Sequence, residues 1–121
     1  MIKETYCSFE VAKLLKEKGF NVPTHAFYNP KKSYTLKFDP CLIDRNAGIY
    51  ISAPTHQMAM AWLREIHGID IVIEISDPSV KDRKYYCVIW DKNNDSYILD
   101  LFSSYEECVE AALKYALENL I

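Results

Sequence analysis

Glycine is scarce in this chain: Gly19, Gly48 and Gly68 are the whole supply in 121 residues. A loop that cradles phosphate needs several glycines close together, able to take positive φ and to let the backbone approach the ligand, so that chemistry is excluded. Cysteine pairs are missing too. Cys7, Cys41, Cys87 and Cys108 are scattered with no two at close spacing, which excludes a zinc site built from two close ligand pairs and offers no disulfide framework. Reduced thiols packed as small hydrophobes are expected. No apolar run is long enough to span a bilayer, so a membrane is not an expected partner. Clustered positive charge is also lacking. The formal net charge is −3, whereas phosphate binding draws on grouped Lys and Arg, and nucleic acid is the less expected partner. The first residues, MIKETYCSFEVAKLL, carry Lys3 and Glu4 and no sustained apolar region before a small-residue cleavage site. The expected location is therefore the cytoplasm.

What is present is apolar: 50% of the residues are hydrophobic. A single domain of this length can bury about two-thirds of its unfolded surface without metals or disulfides. Its organising stretch is residues 54–75, PTHQMAMAWLREIHGIDIVIEI. Pro54 cannot continue a helix backwards, and the Thr55 hydroxyl can accept a first-turn N–H. Met58, Ala59, Trp62, Leu63 and Ile66 then recur at helical spacing. Gly68 suits a left-handed helix ending, with Ile69 folding back onto the last turn. Beyond it the period changes to two: Ile69, Ile71, Ile73 and Ile75 face one way, Asp70 and Glu74 the other, which predicts a strand buried on one face.

The rest of the chain extends that pattern. Ser8 caps a first helix with Val11, Ala12, Leu14 and Leu15 apolar and Lys13, Lys16, Glu17 and Lys18 turned to water. Gly19 and Phe20 repeat the ending at Gly68 and Ile69. The two helices share alanine, leucine and glycine at matching offsets, a likeness that helix-end chemistry alone explains without a duplication. Residues 24–28 and 34–38 read as a β-hairpin around Asn29, Pro30, Lys31, Lys32 and Ser33. Asp39-Pro40 and residues 44–48 carry turn signals, and residues 49–51 a brief extended segment. After a break at Asp77, Pro78 and Ser79 and a charged loop over 80–83, KYYCVIWD is apolar on both faces. Tyr85, Cys87 and Ile89 lie on one and Tyr86, Val88 and Trp90 on the other, as in the central strand of a sheet. A turn over 92–95 returns as a strand with Tyr97, Leu99 and Leu101 on one face. Ser104 and Glu107 form a capping box for a last helix. Its buried stripe reads Tyr105, Cys108, Val109, Ala112, Ala116 and Leu120, and its wet face carries Glu106, Glu107, Glu110, Lys114 and Glu118. The expected fold is α+β, a largely antiparallel sheet of four to five strands covered by three helices, in the order α-β-β-α-β-β-β-α.

Three stretches carry a family resemblance: TYCSFEVAKLLKEKGF, SAPTHQMAMAWLREIHGIDIVIE and SSYEECVEAALKYALENLI. The chain resembles a family of small uncharacterised proteins from phages and mobile elements of gut bacteria of the Bacteroides group. The likeness is most specific at Ala53-Pro54-Thr55, Trp62-Leu63-Arg64-Glu65 and Ser104-Tyr105-Glu106-Glu107, and weakest over residues 28–48. It implies a setting, an accessory protein inside a bacterium, and brings no activity, cofactor or catalytic residue.

Catalytic candidates are thin. Cys7 or Cys41 would need His25, His56 or His67 as base, and no local signature sets any cysteine apart. Asp91, Asn93 and Asp95 match the opening of a calcium loop, but Ser96 stands where that loop needs glycine and Phe102 where it needs glutamate, so a hairpin turn is expected and no metal. Neither a cofactor nor a catalytic site is assigned. The expected function is a protein–protein binding module, an adaptor or inhibitor, with Tyr86, Val88 and Trp90 as binding residues and a second copy of the chain as one candidate partner. The alternatives are nucleic-acid binding, with Tyr86 and Trp90 as stacking platforms and Lys31, Lys32 and Lys37 on the hairpin, and a small cysteine/histidine enzyme. Val72 and Ile98 are expected on the same face, and an ordinary core role for that face stands beside these if the N-terminal helix or the hairpin covers it.

Overall fold

Ser8 starts the first helix by accepting the Val11 N–H at 3.2 Å, and α1 runs over Phe9–Glu17. The structure is a computed structural model and describes residues 2–77, 79 and 81–121; the expected break at Pro78 and the start of the charged loop at Val80 lie outside the described residues. The chain forms two compact units, Met1–Ala59 and Met60–Ile121.

In the first unit α1 ends as the sequence predicts. Gly19 has φ +92°, its N–H bonds the Lys16 carbonyl at 3.1 Å, and the Phe20 N–H returns to Leu15 at 2.9 Å. That is the paired bonding of a glycine-terminated helix. Strands β1, Thr24–Asn29, and β2, Ser33–Ile43, form the hairpin. The Asp39-Pro40 turn signal does not end β2. Instead the pairing with β1 is irregular between Thr24 and Ala26, which face Ile43 and Phe38, so the proline sits where the strand bulges. Asp44 then caps a 3-10 turn, Arg45–Ala47, and β3, Ile51–Ser52, pairs antiparallel with β1, giving the order β2-β1-β3. Ala12 of α1 packs with Ala26, Tyr28, Ile51 and Ala53 in a buried cluster flanked by Tyr6, Phe9 and Leu36. Lys16, expected in water, donates from Nζ to the carbonyls of Gly48 at 2.7 Å and Tyr50 at 2.9 Å.

Helix α2, His56–His67, crosses from the first unit into the second. Thr55 Oγ1 accepts the Met58 N–H at 3.1 Å, as its position after Pro54 predicts. Ala59, Trp62 and Leu63 are buried, whereas Ile66, expected in the same stripe, is exposed. Gly68 has φ +65°, and the Ile69 N–H reaches back to the Leu63 carbonyl at 3.1 Å. Strands β4, Asp70–Ile75, β5, Tyr85–Trp90, and β6, Ser96–Phe102, form an antiparallel meander with β5 central. Helix α3, Tyr105–Asn119, begins where Ser104 Oγ accepts the Glu107 N–H at 3.1 Å. It covers one face of the meander: Tyr105 meets Tyr85 with ring centroids 6.0 Å apart, and Tyr115 meets Tyr97 at 5.6 Å. Its buried residues are Cys108, Val109, Ala112, Leu113, Ala116 and Leu117. Leu113 and Leu117 therefore replace Tyr105, which is exposed, and Leu120, which is half-buried, in the expected stripe.

The α+β class and the order of the three helices stand. The single sheet of four to five strands does not: there are two sheets of three strands. The reason lies in residues 39–52, where β3 satisfies the open edge of β1 and completes a separate sheet around the hairpin.

Candidate functional site

The second sheet has two unlike faces because β5 alternates apolar residues on both sides. Cys87 and Ile89 point toward α3 and are fully buried. Tyr86, Val88 and Trp90, the predicted binding residues, share the opposite face. Register places Val88 between Val72 of β4 and Ile98 of β6, so one apolar row crosses all three strands. Trp90 lies between Asp70 and Ser96, and Tyr86 opposite Glu74. The row remains accessible to water: Val72 is 40% exposed, Ile98 64% and Trp90 42%, with Tyr86 and Val88 half-buried.

Leu101 joins the exposed apolar surface, contrary to the expectation that it shares a face with Tyr97 and Leu99. The pairing of β5 with β6 slips between Tyr85 and Cys87, so Tyr85 faces Phe102. An irregularity of one residue turns the following side chains over. Leu101 is 59% exposed as a result.

Two tyrosines are tied to carboxylates. The Tyr86 hydroxyl donates to Glu74 Oε2 at 2.5 Å. The phenol pKa is raised, first because its proton is held by that carboxylate. This bond orients the Tyr86 ring at one end of the row. At the other end the Asp91 carboxylate accepts the N–H groups of Asn93 at 2.8 Å and Asp95 at 3.0 Å, and the Tyr97 hydroxyl at 3.1 Å. Asn94 takes φ +67° in this turn. The Asp91 carboxylate thus holds the backbone of a hairpin turn, the turn expected between the two strands.

Comparison of the chain with protein-family models, with curated proteins and with solved structures finds no match.

Of the other candidate residues, Cys7 and His56 meet: both are buried, with the Cys7 Sγ and a ring nitrogen of His56 within 4.8 Å of each other. Cys41 is exposed on β2, and its N–H donates to Asp39 Oδ1 at 2.8 Å. That bond, followed by the ion pair with Arg45 at 2.8 Å, lowers the Asp39 pKa. His25 Nδ1 bonds the Asp39 carbonyl at 3.0 Å. Cys7 is buried, and its carbonyl accepts the Tyr28 hydroxyl at 2.8 Å. His56 Nδ1 shares a hydrogen bond with Thr5 Oγ1 at 2.8 Å. His67 packs its ring edge-on to Trp62, centroids 4.8 Å apart, and its Nε2 has no hydrogen-bond partner among the described residues. Cys87 and Cys108 lie between β5 and α3, where burial raises both thiol pKa values, that of Cys108 to about 12. They stay protonated near neutral pH and are poor nucleophiles.

Alternation alone puts Val72 and Ile98 on this face with one apolar side of β5, because Asp70 and Glu74 flank Val72 at a period of two and Ser96 and Asp100 flank Ile98. What the sequence does not contain is the register that aligns Val72, Val88 and Ile98 as one row.

Proposed function

We propose that the chain is a protein–protein binding module, an adaptor or inhibitor, that docks its partner on the outer face of β4, β5 and β6. The supporting observation is the in-register row Val72, Val88 and Ile98, exposed on a sheet whose other face is closed by α3. Exposed apolar side chains contiguous across three strands, flanked by an aromatic anchor such as Trp90, have the composition of an interface centre. With this goes the setting implied by the resemblance: an accessory protein of a phage or mobile element, acting in the bacterial cytoplasm. Among the described residues no helix is long and apolar enough to cross a membrane.

The test is affinity purification from a bacterial host carrying the native element, with Trp90→Ala/Ile98→Asp beside the wild type. A partner enriched by the wild type and lost by the folded double variant is expected. A partner retained by the variant, or none enriched, overturns the proposal.

A further inference from the structure

If the outer face of the second sheet is a binding surface, as proposed, its charge and shape constrain the partner, and the inference drawn from them rests on that proposal. The apolar row crosses two strand spacings, about 10 Å, and Tyr86 to Trp90 spans about 14 Å along β5. A helix is about 10 Å across, so two to three of its turns cover this patch. The sheet already receives a helix on its other face, where α3 lies against Tyr85 and Tyr97. A second helix would complete a helix–sheet–helix stack.

The border of the patch is acidic. Asp70 stands across from Trp90 and Glu74 across from Tyr86, both exposed, and Asp100 is exposed on β6. Lys84, two residues before Tyr86, is exposed and is the cation nearest in sequence to the leading end of β5. The imbalance extends to the whole second unit, which holds twice as many Asp and Glu as Lys and Arg, whereas in the first unit Lys and Arg are in excess. A second copy docking face to face would set these carboxylates against each other, and a nucleic-acid backbone would meet the same repulsion.

We propose that the outer face of β4, β5 and β6 takes an amphipathic helix of another protein whose apolar stripe is bordered by lysine or arginine. The apolar positions of that helix, at i, i+3, i+4 and i+7, seat over Val72, Val88 and Ile98, and its cations reach Asp70 and Glu74.

The test uses a displayed library of helical peptides with apolar residues fixed at those spacings and the bordering positions randomised. It is selected on the full chain and screened against Ile98→Asp. The expected binders lose affinity on Ile98→Asp, are enriched in Lys or Arg at the borders, and bind Asp70→Lys/Glu74→Lys at least about tenfold more weakly by calorimetry. Binders lost on Ile98→Asp but neutral or acidic at the borders, or indifferent to the charge reversal, overturn the basic helix and leave the binding face standing. No binders, or binders that hold Ile98→Asp as well as the wild type, overturn both. Circular dichroism and cooperative unfolding qualify each variant, and Ile98→Ala replaces Ile98→Asp if the latter does not fold.

Discussion

Asp91 carries more of the β5–β6 turn than any neighbour, since one carboxylate takes two backbone N–H groups and a tyrosine hydroxyl. Loss of solvent pushes its pKa up, and those three donors outweigh it, so the folded pKa lies below the usual carboxylate value. A depressed carboxyl contributes stability that is present above its unfolded pKa, about 4, and is lost as pH falls through the folded value. The melting temperature of the wild type should therefore exceed that of Asp91→Ala at pH 6, with the gap closing below roughly pH 4. Thiol chemistry separates the cysteines by the same logic of environment. Cys41 is exposed whereas Cys7, Cys87 and Cys108 are buried, so a colorimetric thiol reagent should titrate one thiol in the native protein and four after denaturation. Burial also separates the two kinds of apolar residue. Leu113→Ala, which empties a fully buried position, should cost about 2–5 kcal/mol in denaturant unfolding, whereas Trp90→Ala should leave unfolding cooperative and cost less than about 1 kcal/mol.

Elements whose identity is set by local chemistry were legible in the sequence. Caps at Ser8, Thr55 and Ser104 and the glycine endings at Gly19 and Gly68 all lie where residue type alone puts them. Gly68 illustrates how tightly: besides its positive φ, an added Cβ would stand 3.2 Å from Cβ of Lys92. Gly68→Ala should lower stability by about 1 kcal/mol or more, measured by thermal or denaturant unfolding. The central place of β5 was legible for a similar reason, because apolar residues on both faces need cover or partners on both. What was not legible depends on pairing. Nothing local in Ile51 and Ser52 says that two residues will close the edge of β1 and divide the strands into two sheets. Nor does the run Leu99, Asp100, Leu101 announce the slip that turns Leu101 outward. The stripe of α3 was legible at Cys108, Val109, Ala112 and Ala116, but several apolar positions compete for burial and only the sheet beneath decides that Leu113 and Leu117 win over Tyr105 and Leu120.

At the scale of the whole molecule, both units present a helix followed by three strands, yet they are not copies. The first strand is central in one sheet, β2-β1-β3, and the second is central in the other, β4-β5-β6. The sequence likeness between α1 and α2 thus needs no more than the shared demands of a helix that stops at glycine. The acidic border also predicts behaviour in solution: any face-to-face pairing of two copies of the second sheet should be weakened at low ionic strength and strengthened by added salt, and Asp70→Lys/Glu74→Lys should change that salt dependence in sedimentation. Finally, the two tryptophans stand in opposite surroundings, Trp62 only 7% exposed and Trp90 42%. The chain thereby contains a pair of intrinsic fluorophores with separate duties. Iodide should quench Trp90 in the native state and spare Trp62 until unfolding, so an occupant seated on the sheet would announce itself, without any label, as a blue-shifted emission that the quencher no longer reaches.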